Sequence, residues 1–508
     1  MRELVHLLHN HLAVGLRRDS RTRRGQPALT YCRGLQTFND VLVAQQQIEA
    51  PQAFPPKKGV YPILLPGETR AMYALDSRNL QLFLHKVNPA TFTLTEIAAF
   101  SDAQQDVYKT WSHVNSQGHL FASNGNVCVI AVDDGAQLLR EEEDVLIPAS
   151  VSRLGNRVML AGINNYSLST PWFNEMVDEW KQRVPPPVVV HENVTAEQAE
   201  QFIILGPSAG SDMMHPYWME RKILAGPDND DQMDVIMSSI RQGVIDLAYI
   251  PTAGKIVAAH AVGQSIVVLC TSDAWIITPG ETGLGPPVQL TNFGISTQGA
   301  SIMLGNSLYF ISTDGRLFNI NRENAFGLLG FKEYLSRLQA DRIVMATDPS
   351  KGDIWIHDNK KGFVLRSDAL AHCELMPSWT YRDVEGQLLG NENKLLEDFE
   401  FETHEFDLGI RAIKQLQSVE LGMEDAGRTT VLIKSRFDRD EVYYTSEEFQ
   451  VNQEGVATPQ FCGADFRVVV RGELYPETVV DRMSVRWKAG DRRFIRGTTE
   501  NVSAVEDI

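Results

Sequence analysis

Three histidines stand within six residues near the start of the chain: His6, His9 and His11. Histidines at i and i+3 on one helix face can hold a divalent metal once a third ligand arrives. No acid or cysteine stands at ligand spacing beside them, so a helix surface or a subunit contact is the simpler reading. Asp228, Asp230 and Asp231 look like the opening of a calcium loop, which needs Gly at its sixth position and Glu at its twelfth. Met233 and Ser239 stand there instead, which leaves a solvated insertion loop. Glu141–Asp144 offers carboxylates, but four adjacent acids cannot share one face of a strand. Gly206–Gly210 lacks the Lys-Ser/Thr that completes a phosphate loop. Gly280–Gly285 lacks the helix that follows a dinucleotide-binding turn. Ser208 lacks the glycine spacing of a nucleophile elbow. Cys32, Cys128, Cys270, Cys373 and Cys462 are too scattered for a zinc pattern. They read as buried free thiols in a reducing interior. The residues therefore assign no catalytic group, no metal and no cofactor, and the chain is expected not to be an enzyme.

What the chain has in place of a catalytic motif is a repeated turn. A Gly-polar pair leads into an apolar run that ends in Ser, Thr, Asp or Asn. It is clearest at Gly263-Gln264, Gly305-Asn306 and Gly352-Asp353, which start 42 and 47 residues apart. Weaker copies stand at Ser77-Arg78-Asn79, Gly118-His119 and Gly155-Asn156, again at blade-sized intervals. That spacing fits four short antiparallel strands per repeat and predicts a β-propeller of about six to eight blades. The interval from Gly155 to Gly263 is too long for one blade. It predicts one or two blades plus an insertion that leaves the propeller.

The segments around the propeller read differently. Leu4, Val5, Leu8, Leu12 and Leu16 are spaced for an amphipathic helix. A basic stretch follows, with Arg17, Arg18, Arg21, Arg23 and Arg24, then a Pro-rich link at 51–58. From Gly409 onward longer alternating strands predict a β-sandwich. In Arg482–Lys488 the alternation would bury Met483, Val485 and Trp487 and leave the cations in water. The expected domains are 1–58 (helix and basic arm), 59–390 (propeller, insertion near 170–235) and 391–508 (sandwich and polar tail). The class is all-β. Trp172, Phe173, Trp180, Tyr217 and Trp218 cluster in the insertion. Such aromatics form either a local core or the anchor of a protein–protein interface.

The 508 residues carry a net charge of −18, unevenly spread. Residues 1–33 hold a balance of +5, so the remainder is near −23. A body this acidic is a poor duplex binder, yet it suits a surface over which nucleic acid slides. No apolar stretch is long enough to span a bilayer, and the N-terminus does not read as a secretory signal.

The segment Gly263–Ile320, with its Gly-Ile-Ser link and its strand ending in a Ser-x-Asp-Gly turn, resembles the tail hub or nozzle proteins of short-tailed bacteriophages. So does the closing Arg-Met-Ser-Val-Arg-Trp-Lys strand, and so does the order arm, propeller, sandwich. The resemblance implies a virion component assembled in the host cytoplasm. Six copies would form a homohexameric ring, with portal and adaptor proteins above and a tail needle, plug or fibre below. Double-stranded DNA would pass through the lumen without sequence-specific binding. The arginine arm would then contact an acidic neighbouring ring or grip the DNA end. Ser312–Gly315 also resembles the Asp-box turns of sialidase propellers, where the aspartate is structural. Two alternatives stay open: a propeller glycan hydrolase with a carbohydrate-binding sandwich, and a cellular propeller scaffold.

Overall fold

The computed structural model describes residues 4–16, 28–50, 63–65, 72–78, 81–88, 91, 93–100, 111–116, 119–132, 135–140, 144–164, 170–183, 193–207, 216–280, 283–321, 323, 325–382, 386–391, 396–408, 412–424, 426–438 and 442–489. The chain divides into two compact units. The first gathers Met1–Glu49, Ser350–Met376 and Glu392–Ile508; the second gathers Ala50–Pro349 and Pro377–Asn391. The fold is all-β and of propeller type.

In the second unit the described residues form five four-stranded antiparallel meanders. They begin at Ile63–Leu65, Ser112–Ser116, Ile147–Leu154, Ile256–Val262 and Ser301–Leu304. The inner strands are the more buried: in the third meander Phe202–Leu205 is buried at every residue, while in the fourth the outer strand Val288–Thr291 is exposed or half-buried. Ser265–Cys270 is buried along its whole length. Neighbouring meanders pack face to face. Leu75 and Leu84 of the first meet Leu120 and Val129 of the second. Met159 and Ile203 of the third meet Val268 and Ile277 of the fourth.

The recurring glycine has a conformational cause. Gly155, Gly263 and Gly305 lie in two-residue turns between the first and second strands of their meanders. Their φ values are 60°, 62° and 58°, the left-handed region that suits hairpin turns of matching twist. A Cβ on Gly155 or Gly305 would meet nothing within 4 Å. Backbone conformation rather than crowding therefore selects glycine there.

The Gly155–Gly263 interval holds one meander, not two. Its strands Arg157–Asn164, Phe202–Leu205 and Asp246–Tyr249 are separated by helices in two places, which supplies the expected insertion.

The first unit contains two sheets with alternating burial. One orders Leu35–Phe38, Val41–Ala44, Val479–Ala489, Lys414–Met423 and Val456–Ala457, with Leu4–Leu7 on Val479–Ala489 and Phe461–Gly463 on Lys414–Met423. The other includes Leu29–Arg33, Asp398–Thr403, Asp465–Glu473 and Thr429–Arg436 in that order. Met483, Val485 and Trp487 are buried while Arg482 and Arg486 face water, as the alternation requires.

Two boundaries differ from the sequence expectation. The N-terminal residues are not an independent helical arm. Leu4–Leu7 is a strand paired antiparallel with Ser484–Trp487, and helix α1 covers only His9–Val14. Leu8, Leu12 and Leu16 are all fully buried, though only Leu12 lies within the helix. Leu4, Val5 and Leu7 are exposed, so pairing with a strand edge outweighs the weak preference of a short isolated helix. The strands Asp353–His357, Gly362–Arg366 and Ala369–His372, expected as a propeller blade, belong to the first unit. Residues 51–58, Glu141–Glu143 and the tail from 490 onward lie outside the described residues. No helix among the described residues is long and apolar enough to cross a membrane.

Candidate functional site

Among the described residues the insertion in the third meander holds four helices: α2 (Pro171–Arg183), α3 (Ala196–Ala199), α4 (Pro216–Ala225) and α5 (Asp230–Arg241). Local chemistry starts and stops them. Thr195 and Gln198 form a capping box on α3. Asn229 accepts from the Gln232 N–H, and Asp230 and Asp231 complement the positive end of α5. The sequence resemblance to a calcium loop is therefore a helix start. Lys181 and Arg183 end α2 and Arg241 ends α5, as cations should at C-termini.

Trp172 and Trp180 are buried in a core that the insertion shares with the meander and are not displayed for a partner. Trp172 donates from Nε1 to the Ile223 carbonyl at 3.1 Å. Trp180 is buried and meets Phe202 edge-on at 5.9 Å. Phe173 packs on the same ring at 5.6 Å. The interface expected at Trp172 and Trp180 is thus corrected to a local core. Tyr217 and Trp218 lie on α4, and their side chains fall outside the described ones, as do Arg17, Arg18, Arg21, Arg23 and Arg24 altogether. Arg33, the last arginine of the basic stretch, pairs with Glu374 at 2.6 Å and Asp398 at 2.9 Å. Truncating Trp180 to Ala should cost about 3–5 kcal/mol. Trp180→Phe should cost little, because Nε1 has no hydrogen-bond partner. Urea unfolding of the two variants checks this; equal losses would contradict it.

A cavity of about 530 Å³ opens where α2 and α5 end. Its wall holds Arg157, Arg183, Arg241, Asp246 and Gly243, with the hairpin Pro279–Leu284 opposite. These residues are distant in sequence, and no motif marks them. Arg157 crosses the meander and donates to the carbonyls of Gly206 (2.6 Å), Leu205 (3.2 Å) and Val244 (2.7 Å). Burial disfavours its charge. Arg183 pairs with Asp246. The Asp246 carboxylate also accepts from the Leu247 N–H at 3.0 Å and the Leu284 N–H at 2.6 Å. Burial pushes this carboxyl above its ordinary range, against the pull of those donors. Gly283 has φ 131°, and a Cβ there would lie 2.3 Å from Asp246 Oδ2. The hairpin is therefore pinned against the carboxylate by a residue that must be glycine.

The remaining candidate residues have structural places. Ser312 donates to Asp314 at 2.6 Å, and Asp314 faces Arg316 and Lys332 at 3.3 and 3.0 Å. It fixes a turn, as the sequence suggested. His6 lies on a strand and not on one helix with His9, whose side chain is outside the described ones, so the i, i+3 metal geometry does not form. No group of three or more His, Cys, Asp or Glu side chains among the described residues could hold a metal. His11 is buried and donates from Nδ1 to the Ala28 carbonyl at 2.8 Å. Burial lowers it to about 4. His260, whose Nε2 lies 2.9 Å from Ser301 Oγ, is also lowered to about 4 by burial.

These two rings make stability depend on pH. Unfolded, each titrates near its ordinary value, so below about pH 6.5 the unfolded chain binds the proton first. Their contribution is complete above that value and is lost progressively as pH falls toward about 4. Between neutral pH and pH 5 each should cost about 2 kcal/mol. Urea midpoints at the two pH values check it: a midpoint that does not fall, or that falls equally in His11→Gln, contradicts the His11 assignment.

No family model matches this chain, and no curated protein matches it significantly. Solved structures similar to it include PorZ, a surface component of the type-IX secretion system of Porphyromonas gingivalis (10% identity, TM-score 0.31, 70% of this chain). The chain spans 36% of the length of PorZ. BamB from Moraxella catarrhalis is similar over 73% of this chain and 92% of its own, at 10% identity and TM-score 0.34. The Pan2 WD40 domain of Neurospora crassa is similar over 68% and 87%, at 8% identity and TM-score 0.33. At this level of similarity they carry no argument about what this chain does.

Proposed function

We propose that the chain is a non-enzymatic tail hub or nozzle subunit of a short-tailed bacteriophage. In this reading six copies form a ring beneath the portal and adaptor, and the ring continues the DNA conduit, retains the packaged genome and lets it leave. The observation that carries the reading is the pairing of propeller meanders with a sandwich whose long last strand is Arg-Met-Ser-Val-Arg-Trp-Lys, together with the Gly263–Ile320 segment. The charge distribution supports it: a body near −23 repels the phosphates of a passing duplex. The basic stretch at Arg17–Arg24 suits an acidic neighbour in the assembly. Side-to-side contacts in such a ring are heterologous and cyclic. With Trp172 and Trp180 in the core, they would fall on the polar outer faces of the insertion and on the sandwich.

The test is peptide mass spectrometry of nuclease-resistant, DNA-containing particles purified by density gradient, with copies counted per particle. About six copies against a twelve-copy portal is the expected result. Absence from particles, with the chain recovered only in the soluble fraction, overturns the reading.

A further inference from the structure

The strand Leu4–Leu7 is bonded along one edge only. The Leu8 N–H donates to the Met483 carbonyl at 2.8 Å, and the register sets His6 opposite Val485 and Leu4 opposite Trp487. Antiparallel pairs alternate between bonded and unbonded, so Leu4, His6 and Leu8 bond to Val479–Ala489, and the N–H and C=O of Val5 and Leu7 point away from it. Among the described residues no other strand pairs with Leu4–Leu7. The side chains alternate as well. The His6 ring stacks on Phe406 at 6.2 Å, so Val5 and Leu7 stand on the opposite face, 59% and 55% exposed. A natural sheet guards an open edge with a lysine, a proline or a bulge. Leu4–Leu7 has none of them, and no acid either.

We infer that this edge is a docking site for a second copy of the chain, which adds its own Leu4–Leu7 antiparallel to the first. The strand is complementary to itself. With a twofold axis at His6, Val5 of each copy stands opposite Leu7 of the other, and each such pair exchanges both of its N–H···O bonds. The same pairing brings Val5 and Leu7 of both copies together on one face and removes them from water. Their neighbours on that face are Ser484 and Arg486, and Arg486 is matched by Glu420. The acidic bodies therefore meet along a strand that adds no like charge of its own. Four residues make a small contact, so the dimer forms reversibly and with rising concentration. The contact is isologous, unlike the heterologous contacts of a closed ring, and the inference does not rest on the tail-hub reading.

The experiment is sedimentation equilibrium of the full chain over a range of protein concentrations, with a reversible monomer–dimer equilibrium expected. Val5→Pro removes an N–H that the chain does not use internally, so the variant should keep its fold. Each dimer then loses one donor from each copy, and association should weaken at least about tenfold. Leu7→Lys places a guarding charge on the same edge and serves if Val5→Pro does not fold. Leu328 is the control: it is 59% exposed on the outer strand Phe326–Gly330 of the second unit, and Leu328→Lys should leave association unchanged. A monomer at every concentration, undiminished association in a folded edge variant, or an equal loss in Leu328→Lys overturns the site. Hydrogen exchange gives a readout without substitution. Amides of the peptide spanning Leu4–Leu8 should exchange more slowly as concentration rises, and exchange independent of concentration overturns the pairing.

Discussion

Asp353→Ala is expected to destabilise the first unit by about 3–5 kcal/mol, the cost of leaving a buried charge without its counter-ion. The Asp353 carboxylate is wholly buried and pairs with Arg366, itself almost sealed from water. Gln46 donates to the same carboxylate. On the other side of the guanidinium, the Gln36 oxygen, with its amide suitably oriented, lies 2.9 and 3.0 Å from the two Nη atoms. The Phe38 ring is 5.3 Å away. Alanine would leave Arg366 with neutral partners only. The midpoint of thermal unfolding should fall by roughly 6–20 °C for a unit of this size. The double substitution Asp353→Leu, Arg366→Met should recover most of that loss, because replacing both charges by packed apolar groups is often neutral. Thermal unfolding followed by circular dichroism separates the cases. A single variant within about 1 kcal/mol of wild type would show that water reaches the pair.

Gly294→Ala should be as severe in the second unit, for a different reason. Gly294 belongs to the Gly-Ile-Ser link between the fourth and fifth meanders. Its carbonyl accepts from the Thr313 N–H at 2.9 Å, and the next N–H donates to the Cys270 carbonyl at 2.9 Å. A Cβ at 294 would lie 2.2 Å from the Thr271 carbonyl carbon and 2.4 Å from the Cys270 oxygen. Those are backbone atoms at and just past the end of the buried strand Ser265–Cys270 and cannot rotate away. The loss should be about 3 kcal/mol or more, at or above the top of the ordinary range for overpacking. Gly305→Ala is the control. Its Cβ meets nothing, so only the left-handed backbone opposes it, at about 1–2 kcal/mol. Chemical denaturation of the pair would refute the steric account if Gly305→Ala proved the worse.

This contrast shows what the sequence can and cannot tell. The blade turns were legible because a left-handed hairpin position admits few residues besides glycine, so the glycine recurs in the chain itself. The sandwich strands were legible because burial on one face writes a period of two, as in Arg482–Lys488. The first strand was not, since Leu4 extends the same four-residue spacing as Leu8, Leu12 and Leu16. Only the edge of Val479–Ala489 decides that Leu4–Leu7 is extended. The insertion's aromatics were ambiguous because tryptophan serves cores and interfaces alike. The choice depends on Phe202 and Ile223 lying opposite. The arginine cavity was invisible: Arg157, Arg183 and Arg241 come from a strand and two helix ends. The one signal that two of them share, a cation closing a helix, has a sufficient local cause in Arg183 and Arg241.

The pairing of Leu4–Leu7 with Ser484–Trp487 joins the first described strand to the last. On a ribosome Leu4–Leu7 emerges long before Val479–Ala489, the edge that it joins. The meanders of the second unit, contiguous in sequence, can form in order while synthesis continues. A product that terminates early would carry folded meanders and an unclosed sandwich, with Leu4, Val5 and Leu7 beside a missing neighbour. A chain that stops before Val479–Ala489 cannot close that sheet, so the pairing ties this unit's fold to a segment made about 480 residues after its partner.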